Sequence, residues 1–201
     1  MLFDLTELPA EIGYKILTAT VTPRPIAWVT TCSPDGIANA APFSFFNVMG
    51  HEPPTVALGL LRHPQRGLKD TAANILATGE FVVQLVPESM AEAMNATCAD
   101  LDPEVDELAL AGLGTVPSAQ VRPPRIADSP VALECRNLAS VVTGPRQMTV
   151  IGRVLCAHIA DRLVLDAARG HIDTPALGLI GRMHGSGWYS RPGGLFQMAR
   201  P

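Results

Sequence analysis

The sequence predicts a mainly β fold with a few helices, arranged as a closed or partly closed barrel. Six or more segments have strand composition, two helical segments lie between them, and the 201 residues include 17 Gly and 18 Pro. Gly and Pro scattered in this way break long helices and mark many turns. The strands do not alternate regularly with helices, so a parallel βαβ fold is not favoured. We predict one domain spanning residues 1–201.

The first third of the chain predicts three strands. Residues 26–31 and 37–46 are β-patterned and flank a Ser-Pro-Asp-Gly turn at 33–36, so they are expected to form a hairpin. Residues 55–61 are apolar almost throughout, which is typical of a strand with two buried faces.

Two helices are predicted next, with a strand between them. Residues 68–78 follow a helical period, with Asp70 placed to cap the N-terminus and Gly79 suited to the C-terminal end. Residues 81–86 are patterned as a strand, and Pro87-Glu88-Ser89 is a typical opening for a second helix.

The C-terminal half predicts a long surface excursion and a second hairpin. Residues 100–130 are rich in Pro, Asp and Gly, with a short helical turn near 107–111. The hairpin joins residues 131–142 and 147–160. Smaller elements are predicted after it: a strand at 163–165, a helix at 174–180, and β-elements at 185–190 and 193–196.

Charge and composition exclude several classes of partner. The formal net charge is −4, so no broad basic surface is available for nucleic acid. The apolar runs are strand-sized and the N-terminus lacks the features of a signal peptide, so we expect a cytoplasmic protein without a membrane partner. Lysine is rare: there are thirteen arginines but only Lys15 and Lys69.

The familiar catalytic and metal motifs are missing from the sequence. The four cysteines are widely separated and no histidine stands at metal-ligand spacing from them, so reduced thiols and no metal site are expected. A redox pair brought together by the fold stays open. Dinucleotide, phosphate-loop and nucleophile-elbow motifs do not occur, and no catalytic residue is assigned.

The segment Asn39–Asn47 has the composition of a flat-ligand wall. Small residues alternate there with hydroxyl and amide groups and three phenylalanines. Small residues let the backbone approach a planar ligand, and phenylalanines can enclose it. An ordinary aromatic strand leading into a turn has the same composition, and the segment alone does not distinguish the two.

The segment Arg62–Thr71 has the composition of an anion site. It carries cationic residues, Lys69 among them, into the predicted N-terminus of a helix, where free N–H groups and the helix dipole favour phosphate. Asp70 would repel an anion, so capping or orienting Lys69 is its expected role while Lys69 and Thr71 face the ligand. A solvated charged loop is the alternative.

Several motifs in order resemble one known family. They are Thr22-Pro23-Arg24-Pro25-Ile26-Ala27-Trp28-Val29-Thr30-Thr31, Asp35-Gly36, Asn39, Ala41-Pro42-Phe43-Ser44-Phe45-Phe46-Asn47, Pro53-Pro54, Lys69-Asp70-Thr71 and Val131-Ala132-Leu133-Glu134-Cys135. This combination resembles the flavin reductase-like FMN-binding split-barrel proteins, flavoredoxin among them, over nearly the whole chain.

The resemblance implies a Greek-key split β-barrel that binds FMN non-covalently and forms a homodimer. It places the segment 44–47 at the flavin ring and ribityl chain. Thr30, Thr31 and the Lys69-Asp70-Thr71 segment lie towards the ribityl phosphate on this basis, and Arg24 and Arg62 are further candidates for that end. The cofactor-binding residues expected on this basis are Arg24, Thr30, Thr31, Asn39, Ser44, Phe45, Phe46, Asn47, Arg62, Lys69, Asp70 and Thr71.

The resemblance also implies a redox activity. The leading hypothesis is an NAD(P)H:flavin reductase, with NADH or NADPH as co-substrate and a free flavin, a partner protein such as a monooxygenase, or oxygen as electron acceptor. A flavoredoxin-like FMN electron carrier without an efficient NAD(P)H site is the second. A barrel that binds another ligand, such as haem or pyridoxal phosphate, is the third.

Overall fold

The computed structural model describes residues 1–62, 67–99 and 105–199. Four helices were found there: α1 (Ala10–Thr20), α2 (Asp70–Thr78), α3 (Ala91–Ala96) and α4 (Glu107–Leu110). The longer strands are β2 (Ala27–Cys32), β3 (Ala38–Phe43), β4 (Phe46–His51), β5 (Pro54–Leu61), β6 (Glu80–Leu85), β9 (Val131–Gly144) and β10 (Gln147–Ile159). The shorter ones are β1 (Arg24–Pro25), β7 (Thr115–Val116), β8 (Arg125–Ile126), β11 (Val164–Asp166), β12 (His171–Ile172), β13 (Gly181–Arg182) and β14 (Tyr189–Ser190).

The seven longer strands form one antiparallel sheet in the order β3-β2-β6-β9-β10-β5-β4. Its two edge strands, β3 and β4, are consecutive in the chain. The sheet curls until these edges approach each other, and the Gly59 N–H of β5 donates to the Phe45 carbonyl in the link between β3 and β4, at 2.7 Å. The mainly β fold and the split barrel are confirmed.

The barrel interior is packed by strand residues and one face of α2. Phe81, Leu58 and Ile75 are fully buried there. The closest packing is at Gly152 of β10, where a Cβ atom would stand 2.3 Å from Cζ of Phe81. A second apolar cluster lies outside the barrel, where Trp28 meets residues of α3 and α4, including Leu108.

Most predicted elements are present with shifted ends. The second hairpin is β9 and β10, and Gly79 ends α2 with a left-handed φ of 73°. The predicted helix at 174–180 is only a 3-10 turn at Pro175–Leu177. The helix α1 was not predicted, because Gly13 and two threonines interrupt its apolar pattern. Within the described ranges, no helix is long and apolar enough to cross a membrane.

Candidate functional site

Five buried polar side chains form a hydrogen-bonded cluster at one end of the barrel, called the Asn39 network below. Asn39 of β3 is central: its Oδ1 accepts the hydroxyls of Thr71 (2.9 Å) and Thr31 (3.3 Å). Its Nδ2 donates to Oε1 of Glu107 at 2.8 Å. Asn74 of α2 donates to the Thr31 hydroxyl at 3.0 Å. The network therefore ties β2, β3, α2 and α4 together.

The Asn39 network lies directly under the N-terminus of α2. The first-turn N–H groups of an α-helix have no acceptor inside the helix and carry partial positive charge. Lys69 is exposed and immediately precedes the first turn of α2, with an extended backbone. Thr71 donates inward to Asn39, so its hydroxyl does not face outward as expected. Asp70, expected to cap the helix, is instead its first residue.

A buried guanidinium nitrogen lies beside the segment that enters α2. Nε of Arg62 is buried and has no hydrogen-bond partner among the described residues. Nη2 of the same side chain would stand 3.6 Å from a Cβ added to Gly67, two residues before Lys69. An unpaired buried donor on a cation is costly and favours an anionic ligand. His63, Pro64, Gln65 and Arg66 of the predicted cationic loop lie outside the described residues.

An apolar groove of about 420 Å³ runs along the outer side of β4 and β5. Leu17 of α1 and Val21, the residue after the helix, form one side of it, and Ala57 and Gly59 of β5 the other. A Cβ atom on Gly59 would stand 2.8 Å from that of Phe45, so glycine lets the Phe45 side chain lie flat against the strand. The predicted residues Ser44, Phe45, Phe46 and Asn47 all line this groove.

Arg24, a candidate for the phosphate end by resemblance, lies beside the apolar groove. It is buried, and its guanidinium donates to the carbonyls of Thr18 (2.8 Å), Val21 (2.7 Å) and Met183 (3.1 Å). Its Nε also approaches the Ser44 hydroxyl at 3.5 Å. Backbone carbonyls therefore occupy most of its donors, and holding α1 and the C-terminal sheet beside the groove is the role this geometry supports.

The two neighbouring threonines of β2 point to opposite faces, as strand geometry requires. Thr31 joins the Asn39 network, whereas the Thr30 hydroxyl donates to the Pro124 carbonyl at 2.6 Å and accepts from Gln84 at 3.2 Å. Thr30 thus fixes the surface excursion onto the sheet. Of the twelve predicted residues, the structure brings Thr31, Asn39, Asp70 and Thr71 together at one end and Arg24, Ser44, Phe45, Phe46 and Asn47 at the other.

Two strands connect these two ends. Asn39 and Phe43 are the second and last residues of β3, about 13 Å apart at 3.3 Å per residue. On β5, Gly59 lines the groove and Arg62 follows three residues later, about 10 Å away. A cationic end and an apolar end at this separation suit an elongated ligand with a flat ring and a charged terminus.

Comparison with known proteins identifies the family. The model of the flavin reductase like domain matches residues 19–174, which is more than half of the chain. The chain belongs to the flavin reductase-like family. A relative from Deinococcus radiodurans, an uncharacterized protein, is 43% identical over 98% of this chain and 88% of its own length.

Three solved structures resemble this flavin reductase-like chain. Nitrilotriacetate monooxygenase component B from Bacillus cereus is 32% identical with a TM-score of 0.92, covering 98% of both chains. The 2-nitrobenzoate 2-nitroreductase NbaA of Pseudomonas fluorescens is 29% identical with a TM-score of 0.90, covering 100% of this chain and 96% of its own. A putative flavin reductase with a split barrel domain from Shewanella frigidimarina, 20% identical with a TM-score of 0.83 over the full length of both chains, shares the fold.

The residues of this flavin reductase-like barrel fit a flavin mononucleotide. The unpaired Nε of Arg62, exposed Lys69 and the first turn of α2 together offer donors and positive charge for a phosphate. The groove offers an apolar wall, with Ser44 and Asn47 as polar groups at its edge. Ser44 also borders a second cavity of about 270 Å³, where Arg182 stacks on Tyr189 at 4.8 Å.

A second polar cluster in this flavin reductase-like chain was missed in the sequence. Glu134 Oε1 lies 2.6 Å from His158 Nε2, and Cys156 Sγ lies 3.7 Å from the same nitrogen. The sequence analysis found no histidine at metal-ligand spacing from a cysteine and therefore did not single out this pair. Cys156 and His158 are two residues apart on one strand face, which was the available signal. These three side chains form a possible metal-ligand group, but Arg125 Nε already lies 4.0 Å from Glu134.

Glu134 is expected to make folding stability depend on pH. Burial alone would raise its pKa, but the backbone N–H groups of Ala119 (2.7 Å) and Gln120 (2.6 Å) and the contact with His158 hold the pKa of this carboxyl below 4.5, its ordinary value. A carboxyl whose pKa is lowered by folding stabilises the folded state at pH values above its ordinary, unfolded-state pKa. This contribution to stability is lost as the pH falls through the folded-state pKa.

The measurement is the melting temperature between about pH 5 and pH 3, where such carboxylates become protonated. Wild type should lose more stability over this range than Glu134→Gln. The matched control Glu88→Gln, at an exposed ion pair with Arg191, should follow wild type. Parallel curves for wild type and Glu134→Gln would contradict the assignment.

Proposed function

We propose that this protein is an FMN-binding oxidoreductase of the NAD(P)H:flavin reductase type. The observation that carries the proposal is the pairing of a cationic helix N-terminus with an apolar groove, connected by β3 and β5. Membership of the flavin reductase-like family supports it, as does the likeness to a monooxygenase component and a nitroreductase.

The phosphate end of the proposed site is formed by Arg62, Lys69 and the first turn of α2. Nε of Arg62 is a buried donor without a partner among the described residues, and Lys69 is exposed beside the helix N-terminus. A phosphate dianion there would pair with both cations and accept backbone N–H groups. Thr31, Asn39 and Thr71 lie beneath this turn and support it, since their side chains are hydrogen-bonded to one another and not directed at the ligand.

The ring end of the proposed site is the groove. Phe45 supplies apolar area, and Phe46 packs behind it in the barrel interior. Ser44 and Asn47 can hydrogen-bond the polar edge of an isoalloxazine ring. Arg24 keeps α1 against this segment through its carbonyl contacts. These residues bind and orient a ring, and none has to act as an acid or a base.

Bound FMN would supply the redox chemistry, accepting hydride from a reduced nicotinamide and releasing electrons to a further acceptor. The chain contributes binding, orientation and access. The cavity at Ser44, with Arg182 and Tyr189 in its lining, is the entry we propose for NADH or NADPH. The guanidinium of Arg182 can pair there with the phosphates of the dinucleotide.

We extend the proposal to the partners and the assembly. A free flavin, oxygen or a monooxygenase component are the candidate acceptors, the last because of the likeness to nitrilotriacetate monooxygenase component B. A homodimer is supported by exposed apolar side chains around the groove, notably Val48 (65%), Met49 (60%) and Val21 (58%). A second copy of the chain covering these side chains would close the groove. We also propose that the protein is cytoplasmic.

Anaerobic mixing of the FMN-loaded protein with NADH and with NADPH tests the activity. We expect rapid loss of the oxidised flavin absorbance with one or both nucleotides. Dithionite is the positive control, since it reduces bound flavin without a nicotinamide site. Bleaching by dithionite but by neither nucleotide would favour the flavoredoxin-like electron carrier. Protein that takes up no FMN would refute both functions.

A further inference from the structure

Glu107 presents two acceptor oxygens to two donors of β3. Its Oε1 accepts Nδ2 of Asn39 at 2.8 Å, and its Oε2 accepts the backbone N–H of Ala40 at 3.3 Å. The side chain is 6% exposed, although it is charged and sits on a helix of only four residues. A carboxylate so deeply buried requires partners, and adjacent residues of one strand provide both of them.

This contact determines the orientation of the Asn39 amide. An ionised carboxylate can only accept hydrogen bonds, so the NH₂ group of Asn39 must face Glu107. The amide oxygen then faces the opposite way, toward the hydroxyls of Thr71 and Thr31. Thr71 lies in the first turn of α2, so the orientation set at Glu107 reaches the helix N-terminus.

The remainder of α4 is held in place independently of this contact. Leu108 is 2% exposed and packs in the Trp28 cluster outside the barrel, and Asp106 caps α4 through the N–H groups of Leu108 and Ala109. The Glu107 carboxylate is therefore not needed to anchor its own helix. Burial raises its pKa, while bonds from Ala40 and Asn39 act in the opposite direction.

We propose that Glu107 is a positioning residue for the phosphate end of the flavin site, holding the first turn of α2 in place through Asn39. This inference rests on the proposed function, because FMN binding supplies the phosphate that this helix N-terminus would hold. Glu107 does not contact the ligand. It acts through one amide and one hydroxyl, across three elements distant in sequence.

The variant Glu107→Gln tests the proposal with little change in side-chain volume. Glutamine has one oxygen and one NH₂ group, so it cannot accept from both Asn39 Nδ2 and Ala40 N–H, and one donor is left facing another. In the FMN-free protein we expect amide exchange at Ala73, which donates to Lys69 at the start of α2, to accelerate about tenfold. The FMN dissociation constant should rise about tenfold and that of riboflavin less than twofold.

Two control variants separate positioning from general loss of stability. Glu88→Gln makes the same change at a half-exposed residue and should alter none of these quantities. Leu108→Ala weakens the packing of α4 but keeps the carboxylate. It should lower the melting temperature while leaving the ratio of FMN to riboflavin affinity unchanged.

A second pair of variants keeps the proposal testable if Glu107→Gln does not fold. Thr71→Val removes the hydroxyl that reaches Asn39 and should reproduce the faster exchange, whereas Thr71→Ser should not. Unchanged exchange at Ala73 in both Glu107→Gln and Thr71→Val would overturn the proposal, as would equal effects of Glu107→Gln and Leu108→Ala. If wild type prefers FMN no more than riboflavin, the proposed function fails, and the exchange measurements still decide the role of Glu107.

Discussion

Replacing both Arg62 and Lys69 by alanine is expected to abolish the preference of the protein for FMN over riboflavin. Each hydrogen bond between a cation and a phosphate contributes about 1.5–3 kcal/mol, and 1.4 kcal/mol corresponds to a factor of ten. The FMN dissociation constant should therefore rise at least about 100-fold in the double variant, and about tenfold or more in each single variant. Riboflavin, which lacks the phosphate, should bind with nearly unchanged affinity.

Quenching of flavin fluorescence measures both dissociation constants on one sample. The chain offers close controls: Lys15 is its other lysine, exposed on α1, and Arg169 is an exposed arginine between β11 and β12. Alanine at both positions removes the same two charges and should leave the preference intact. Equal losses for FMN and riboflavin in the Arg62, Lys69 variant would place the phosphate elsewhere.

Gly152→Ala is expected to produce a large loss of stability for a one-carbon change. The new Cβ would stand 2.3 Å from Cζ of Phe81, and Phe81 is fully buried in the barrel interior. Neither the ring nor β10 can withdraw without disturbing the packing around them. Overpacking of this kind costs about 1–3 kcal/mol, and this contact is close enough to place the cost at the upper end.

Urea unfolding of Gly152→Ala, beside a matched glycine variant, measures the effect. Gly13 lies in α1 with no atom within 4 Å of an added Cβ, so Gly13→Ala should be neutral or stabilise by up to about 1 kcal/mol. Phe81→Leu combined with Gly152→Ala should recover part of the lost stability by relieving the contact. A Gly152→Ala protein as stable as wild type would show that the barrel relaxes at this point.

The strands of the barrel could be predicted because their signals are local. Residues 55–61 and the hairpin at 131–160 carry unbroken apolar or alternating patterns between turn residues, and the structure has β5, β9 and β10 there. The left-handed Gly79 at the end of α2 follows from the same kind of local rule. By contrast, α1 contains Gly13 and two threonines, and its one buried residue is the polar Thr18, so no buried apolar pattern marks it in the sequence.

The candidate site could be predicted only in part, because its residue types cluster in short segments of the sequence whereas its contacts join segments far apart in the chain. The aromatic and cationic segments are visible in the sequence as Asn39–Asn47 and Arg62–Thr71. Glu107, however, is 68 residues from Asn39, and no spacing rule links the two. Arg24 illustrates the converse: the resemblance made it a candidate for the phosphate end, but in the folded chain its guanidinium donates to three backbone carbonyls.

Arg24 also makes the two ends of the chain depend on each other. One guanidinium donates to the carbonyls of Thr18 and Val21, in and just after α1, and to the carbonyl of Met183 in the C-terminal region. Removing either terminal region would leave charged donors buried without acceptors, so a deletion at one terminus would be felt at the other. The groove therefore depends on both segments at once, because one guanidinium holds the end of α1 and the C-terminal sheet beside it.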